Sequence, residues 1–199
     1  MRSQIFFSPL KTLLCSGAVV LALSAVLLPL QAQTPAPAIT SNLLPNGDFS
    51  AATTDPTWPD DWGKAKAKGV TWETENGKHF LRLTAQEPNK LLMAYHEVVI
   101  PAGVTKLTIT IHYRTSNIAV GSENWMDARA IFHFLDDNRK PVSPDPHLMD
   151  FSADATVWTE ATETVPVPPG ATRLVLMPSL FRVAAGTLDL ADISVTPAP

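Results

Sequence analysis

The chain has 199 residues with 15 basic and 19 acidic side chains, a net charge of −4 and a single cysteine, Cys15. A net acidic balance argues against nucleic acid as the partner, and one cysteine excludes an internal disulfide framework. The length is enough for one domain that buries its own core.

In chain order, the first element is not part of the fold. Met1 to Lys11 carries Arg2 and Lys11 without an acidic residue, and Leu13 to Leu30 then reads LLCSGAVVLALSAVLLPL with no charge. This is the layout of a secretory signal, with a cut expected after Ala32; an uncleaved membrane anchor is the alternative. Cys15 follows Leu14 at the start of the apolar run, so it is not placed as a lipoprotein cysteine. Removal of residues 1–32 from the 199 leaves 167, without cysteine, and takes the 15 basic residues to 13 against 19 acidic, a net charge of −6. The expected destination is secreted, periplasmic or envelope-exposed, with no membrane span after cleavage. Residues 33–41, which include the run TPAPAITS, form an uncharged proline-rich tether expected to be disordered.

From there the dominant pattern is alternation, the mark of half-buried strands. In KLTITIHYRT, Leu107, Ile109, Ile111 and Tyr113 fall on one face, and Thr108, Thr110, His112 and Arg114 on the other. Further strand-like runs are HFLRLTA from His79, LLMAYHEVVI from Leu91, ARAIFHFL from Ala128, TEATETVPV from Thr159, RLVLMPSL from Arg173 and TLDLADISV from Thr187. Breaks such as ENGK, PAGV, DDNRKP and PPGA supply turn residues between several of them. No run sustains apolar residues at helical spacing for three capped turns, so an all-β antiparallel sandwich is expected.

The segment NLLPNGDFS followed by PDDW resembles the start of carbohydrate-binding modules with the galactose-binding-like jelly-roll fold, in which an N-G-x-F strand precedes a P-x-x-W segment. VVIPAGVTKLTITIHYRT, NWMDARAIFHFLDDNRKPV, VWTEATETVPVPPGATRLVLMPSL and AGTLDLADISV resemble that family's later landmarks, in the family's order. The resemblance covers residues 42–196 and leaves 197–199 as a tail. It implies a jelly-roll β-sandwich that binds a polysaccharide or oligosaccharide, with Trp62 and Trp158 packed inside. It also implies a structural calcium ion near the chain ends, carried over to Asp48 and Asp192. One departure is Ala191, where the family often has an acidic residue.

A sugar-binding site needs flat aromatic faces for C–H groups beside fixed partners for hydroxyls. Trp125, in the polar loop GSENWMDA, is the first aromatic candidate, followed by Trp58 in a proline-rich turn and Trp72 on a short strand. If Ala128, Ala130, Phe132 and Phe134 face the core, then Arg129, Ile131, His133 and Leu135 line the opposite face, making Arg129 and His133 candidate polar contacts. The same alternation with Val98 and Ile100 inward exposes Met93, Tyr95 and Glu97, and Tyr95 and Glu97 join the candidate site. The plainer reading is that Arg129 pairs with an acidic neighbour and that His133 is an ordinary surface residue. Catalysis has little support: there is no G-x-S-x-G elbow, H-E-x-x-H motif or phosphate loop, and the five histidines are scattered singly. The expected function is therefore non-catalytic carbohydrate binding. The alternative is an envelope-exposed structural or adhesive sandwich that holds a protein partner.

Overall fold

The computed structural model describes residues 41–63, 66–143 and 145–199; the expected signal segment and all of the tether before Ser41 lie outside the described residues. Ten strands follow: β1 (Val70–Glu75), β2 (Lys78–Thr84), β3 (Leu91–Met93), β4 (His96–Val99), β5 (Lys106–Ala119), β6 (Ala128–Leu135), β7 (His147–Asp150), β8 (Thr159–Pro166), β9 (Arg173–Phe181) and β10 (Ala185–Pro197). They form two antiparallel sheets. The first has the order β1-β2-β10-β5-β8, and the second has the order β3-β9-β6-β7 with β4 also on β9.

Turn chemistry explains the connections. Asn76 and Gly77 both have positive φ, 51° and 78°, as a two-residue hairpin between β1 and β2 requires. In the loop after β6, Asp136 Oδ1 accepts from the backbone N–H groups of Asn138 and Lys140, which closes the turn DDNRK. The run from Leu91 was expected to be one strand. Instead it is broken at Ala94 and Tyr95 into β3 and β4, which pair separately with opposite ends of β9. Two short strands, β1 and β7, lie where the sequence shows little alternation; both are edge strands, where one-sided pairing relaxes the pattern.

The core lies between the sheets and has the expected parity. Leu107, Ile109 and Ile111 of β5 meet Phe132 of β6 and Leu174, Leu176 and Leu180 of β9, all fully buried. The opening segment closes one end. Gly47 sits so near β10 that a Cβ there would lie 1.9 Å from the Ile193 carbonyl oxygen, and Ile193 N–H donates to the Gly47 carbonyl at 2.9 Å. That contact explains the glycine of NGDF. Phe49 follows in a left-handed conformation (φ 57°), and its buried ring packs against Trp62 at 4.7 Å. Three indoles pin this segment: Trp62 Nε1 donates to the Asn46 carbonyl, Trp72 Nε1 to that of Phe49, and Trp58 Nε1 to that of Trp62. Trimming Phe49 to alanine would cost roughly 3–5 kcal/mol, since it leaves a cavity as well as losing transfer energy.

Candidate functional site

The outer face of the second sheet carries most of the expected contact residues. Register places Met93, Ser179, Arg129 and Asp150 in one row across four strands, and Glu97, Val175 and His133 in another. The span from Arg129 to Leu135 along β6 is about 20 Å at about 3.3 Å per residue. The middle of the face is aliphatic: Ile131 pairs with Met177 and with Leu148, which is exposed. Polar and aromatic groups gather at the two ends.

Toward the Glu97 end, on the edge of the face in the break between β3 and β4, stands Tyr95, 50% exposed. Its ring lies on the Cα of Gly63: a Cβ built there would fall 2.0 Å from a ring carbon. Gly63 N–H donates to the Tyr95 carbonyl at 2.9 Å, so backbone and ring are held to the same residue. Beside it Glu97 is fixed by two arginines, Arg173 Nη1 at 2.6 Å and Arg139 Nη2 at 3.2 Å. With Pro45, Asp61, Trp62 and His96, the side chains of Tyr95, Glu97 and Arg139 border a shallow hollow of about 480 Å³. His96 is buried with its edge against Trp62, and desolvation pushes its pKa below the ordinary histidine value against the opposing pull of the Glu97 carbonyl. His133, half-buried, stands two strands from Glu97 in the same row.

At the other end Trp125, 45% exposed, leans on Phe181 at 5.9 Å. Its loop is tied by Gly121 N–H to the Met126 carbonyl and by Met126 N–H to that of Glu123. Arg129 was expected to be open on this face but is only 8% exposed. Asp127 hydrogen-bonds its Nε, Asp150 lies 3.7 Å from Nη2, and Phe181 covers the guanidinium at 5.9 Å. The Asp127 bond raises the arginine pKa further, so it is a fixed cation engaged by its neighbours.

Two aromatic candidates and one core assignment change place. Trp58 is 7% exposed, its indole turned in to the Trp62 carbonyl, and it offers no face to a ligand. Trp72 is half-buried and stacked on His79 at 4.8 Å, with its N–H used by Phe49. Both are consumed in holding the opening segment. Trp158, expected inside, is 38% exposed, because it enters β8, the edge strand of the first sheet, where one flank has no neighbour. Sequence reasoning missed Gly63, Arg139 and Arg173. They reach Tyr95 and Glu97 across long stretches of chain and leave no local pattern.

Asp48 and Asp192 do border one depression, about 360 Å³, with Asn42 and Asn46. The donor set does not fit a calcium cage. Asp48 Oδ1 accepts from Ser50 N–H, Asp192 Oδ2 is bound to Lys78 Nζ at 3.3 Å, and the Asn46 amide is spent on Ala51 and Asp60. Among the described residues no three His, Cys, Asp or Glu side chains converge on a point. Among the described residues, too, no helix is long and apolar enough to cross a membrane.

This architecture is an antiparallel jelly-roll β-sandwich. No known protein family and no curated protein matches the sequence. Among solved structures, the chain is similar to the enzymatically active domain of bacteriophage CBA120 tailspike protein 4, at 14% identity and a TM-score of 0.58, over 79% of this chain and 21% of that one. It is similar to a family 16 carbohydrate-binding module at 16% identity and a TM-score of 0.51, over 78% of this chain and 99% of the module. A third likeness, at 11% identity and a TM-score of 0.51, is to a Bacteroides thetaiotaomicron protein described as a putative sugar-binding protein, over 79% of this chain and all of that one. The chain thus spans about a fifth of the tailspike domain but the full length of the two smaller proteins.

Proposed function

We propose that the domain is a non-catalytic carbohydrate-binding module whose ligand lies along the outer face of the second sheet. The observation that carries this reading is Tyr95: one side of its ring is seated on Gly63, and half of its surface is open to solvent beside the clamped carboxylate of Glu97. A ring held in this way stacks on the C–H face of a pyranose with little rotamer entropy to lose. Glu97 keeps acceptor capacity for a hydroxyl, and Arg139, 68% exposed at its side chain, supplies donors. Trp125 provides a second stacking surface at the far end of the aliphatic strip. The fold shared with a carbohydrate-binding module of the same extent favours this over the protein-docking alternative. Glycoside cleavage would need two carboxyl groups facing each other across a cleft. On this face Glu97 and Asp127 are instead each bound to an arginine, at its opposite ends.

The test is tryptophan fluorescence and calorimetric titration of residues 33–199 with soluble glucans, xylans, mannans and galactans, alongside pull-down on cellulose and chitin. The expected result is saturable binding that Tyr95→Ala weakens by about 1–3 kcal/mol, the scale of one aromatic contact. Gly63→Ala should weaken it too, because its Cβ displaces the ring. Wild-type affinity in both variants would remove Tyr95 from the site.

A further inference from the structure

The outer face of the first sheet holds a second constellation that the site above does not use. Arg82 of β2, Asp189 of β10 and Arg114 of β5 are direct cross-strand partners. Asp189, 2% exposed, accepts from Arg82 Nε and Nη2 and from Arg114 Nε, and Arg114 reaches on to Glu75 at 2.8 Å. The Arg114 guanidinium lies 4.6 Å from the centre of the Trp158 ring, and Phe80 meets the same indole edge-on at 5.7 Å. Trp158 is therefore a rigid, partly exposed aromatic.

Next to it the sheet is hollowed. Ala191 lies on the outer surface between Phe80 and His112, and its short side chain leaves a cavity of about 340 Å³ whose wall includes Trp158, Asp192 and Glu75. A second hollow of about 410 Å³ adjoins it past the arginine pair, lined by Thr84, Ser116, Thr156 and Thr187. The bulge in β10 between Ala191 and Ser194 turns Asp192 toward the first hollow, where Lys78 and His112 meet it. A longer side chain at 191 would project into this space.

We propose that this tract is a second glycan-binding site, specific for uncharged sugars, and that the domain is bivalent; the proposal rests on the carbohydrate-binding reading of the Tyr95 face. The aromatic, the fixed polar groups and the concavity are what a pyranose requires. Charge sets the ligand class. Each cation of the tract is already matched, Lys78 by Asp192, Arg82 by Asp189, and Arg114 by Asp189 and Glu75, while Glu160 adds a further carboxylate beside His112. Uronates and sulfate esters would meet carboxylates without a free cation to receive them. Because the two sites face outward from opposite sheets, with the packed core between them, they engage separate glycan chains and cross-link them.

The experiment is calorimetric stoichiometry with a neutral oligosaccharide that the wild type binds, together with turbidity of the matching polysaccharide. Variants are Trp158→Ala, Ala191→Leu, which narrows the hollow and keeps the indole, Tyr95→Ala, and the Trp158→Ala/Tyr95→Ala double. Circular dichroism checks the folding of each. Two sites per chain are expected, falling to one in each single variant and none in the double, with turbidity lost in every variant; the uronate counterpart should not titrate the Trp158 site. One site removed by Tyr95→Ala and untouched by Trp158→Ala or Ala191→Leu overturns the bivalent proposal and leaves the Tyr95 reading standing. One site removed by Trp158→Ala alone overturns both bivalency and the Tyr95 placement. Titration by the uronate at the Trp158 site overturns the assigned ligand class, and no binding of any glycan by the folded wild type overturns the carbohydrate reading itself.

Discussion

Replacing Asp189 with asparagine should destabilise the domain far more than any change of an exposed charge. The carboxylate is 3% exposed at its side chain and receives three N–H bonds of 2.7–2.8 Å from two arginines. Asparagine keeps the volume but loses the charge, and it turns an NH2 donor toward guanidinium donors. Breaking a fully buried ion pair costs about 3–5 kcal/mol. Here the arginines are 37% and 21% exposed at their side chains and recover part of their hydration. About 3 kcal/mol is therefore the expected loss, which for a domain of this size lowers Tm by roughly 6–12 °C at roughly 2–4 °C per kcal/mol. Thermal unfolding followed by circular dichroism reads this directly. Arg82→Gln is the internal comparison: it leaves Asp189 with Arg114 and removes a partly solvated partner, so it should cost about 1 kcal/mol. A drop in Tm below about 2 °C for Asp189→Asn, or one equal to that of Arg82→Gln, would refute the view that the buried carboxylate organises this network.

Two more outcomes follow from the geometry. Burial holds the His96 pKa below its ordinary value, so the unfolded chain takes up the proton first as pH falls. The stability associated with neutral His96 is intact above about pH 6.5 and is lost progressively as pH drops toward the folded-state value; the difference in urea midpoint between pH 7 and pH 5 should be smaller in His96→Gln than in wild type, and an equal difference would contradict this. Chelation by EDTA should leave the melting curve unchanged, because Asp48 and Asp192 are tied to Ser50 and Lys78 rather than directed at a common point; a fall in Tm reversed by added calcium would show otherwise.

Much of the sandwich was legible in the chain because its cause is local. Alternation in β5 and β6 assigns each residue to a face once one inward residue is known, and turn residues such as Asn76-Gly77 act within four positions. The same parity placed His133 and Glu97 on one outer face. The sequence alone also carried the NGDF signature, whose glycine answers to a backbone contact with Ile193 nearly the whole domain away. The tryptophans were another matter, since an indole in a loop looks the same whether its neighbours cover it or not. Trp58 is covered by the segment it anchors, Trp158 is uncovered because β8 is an edge, and Arg129 is drawn under Phe181 by two carboxylates. Tyr95 became a candidate by parity, but its rigidity comes from Gly63, and the clamping of Glu97 comes from Arg139 and Arg173. Strand periodicity determines which way a side chain points; only the packing of distant segments decides what it meets there, and that contact makes the difference between a buried anchor and an exposed binding face.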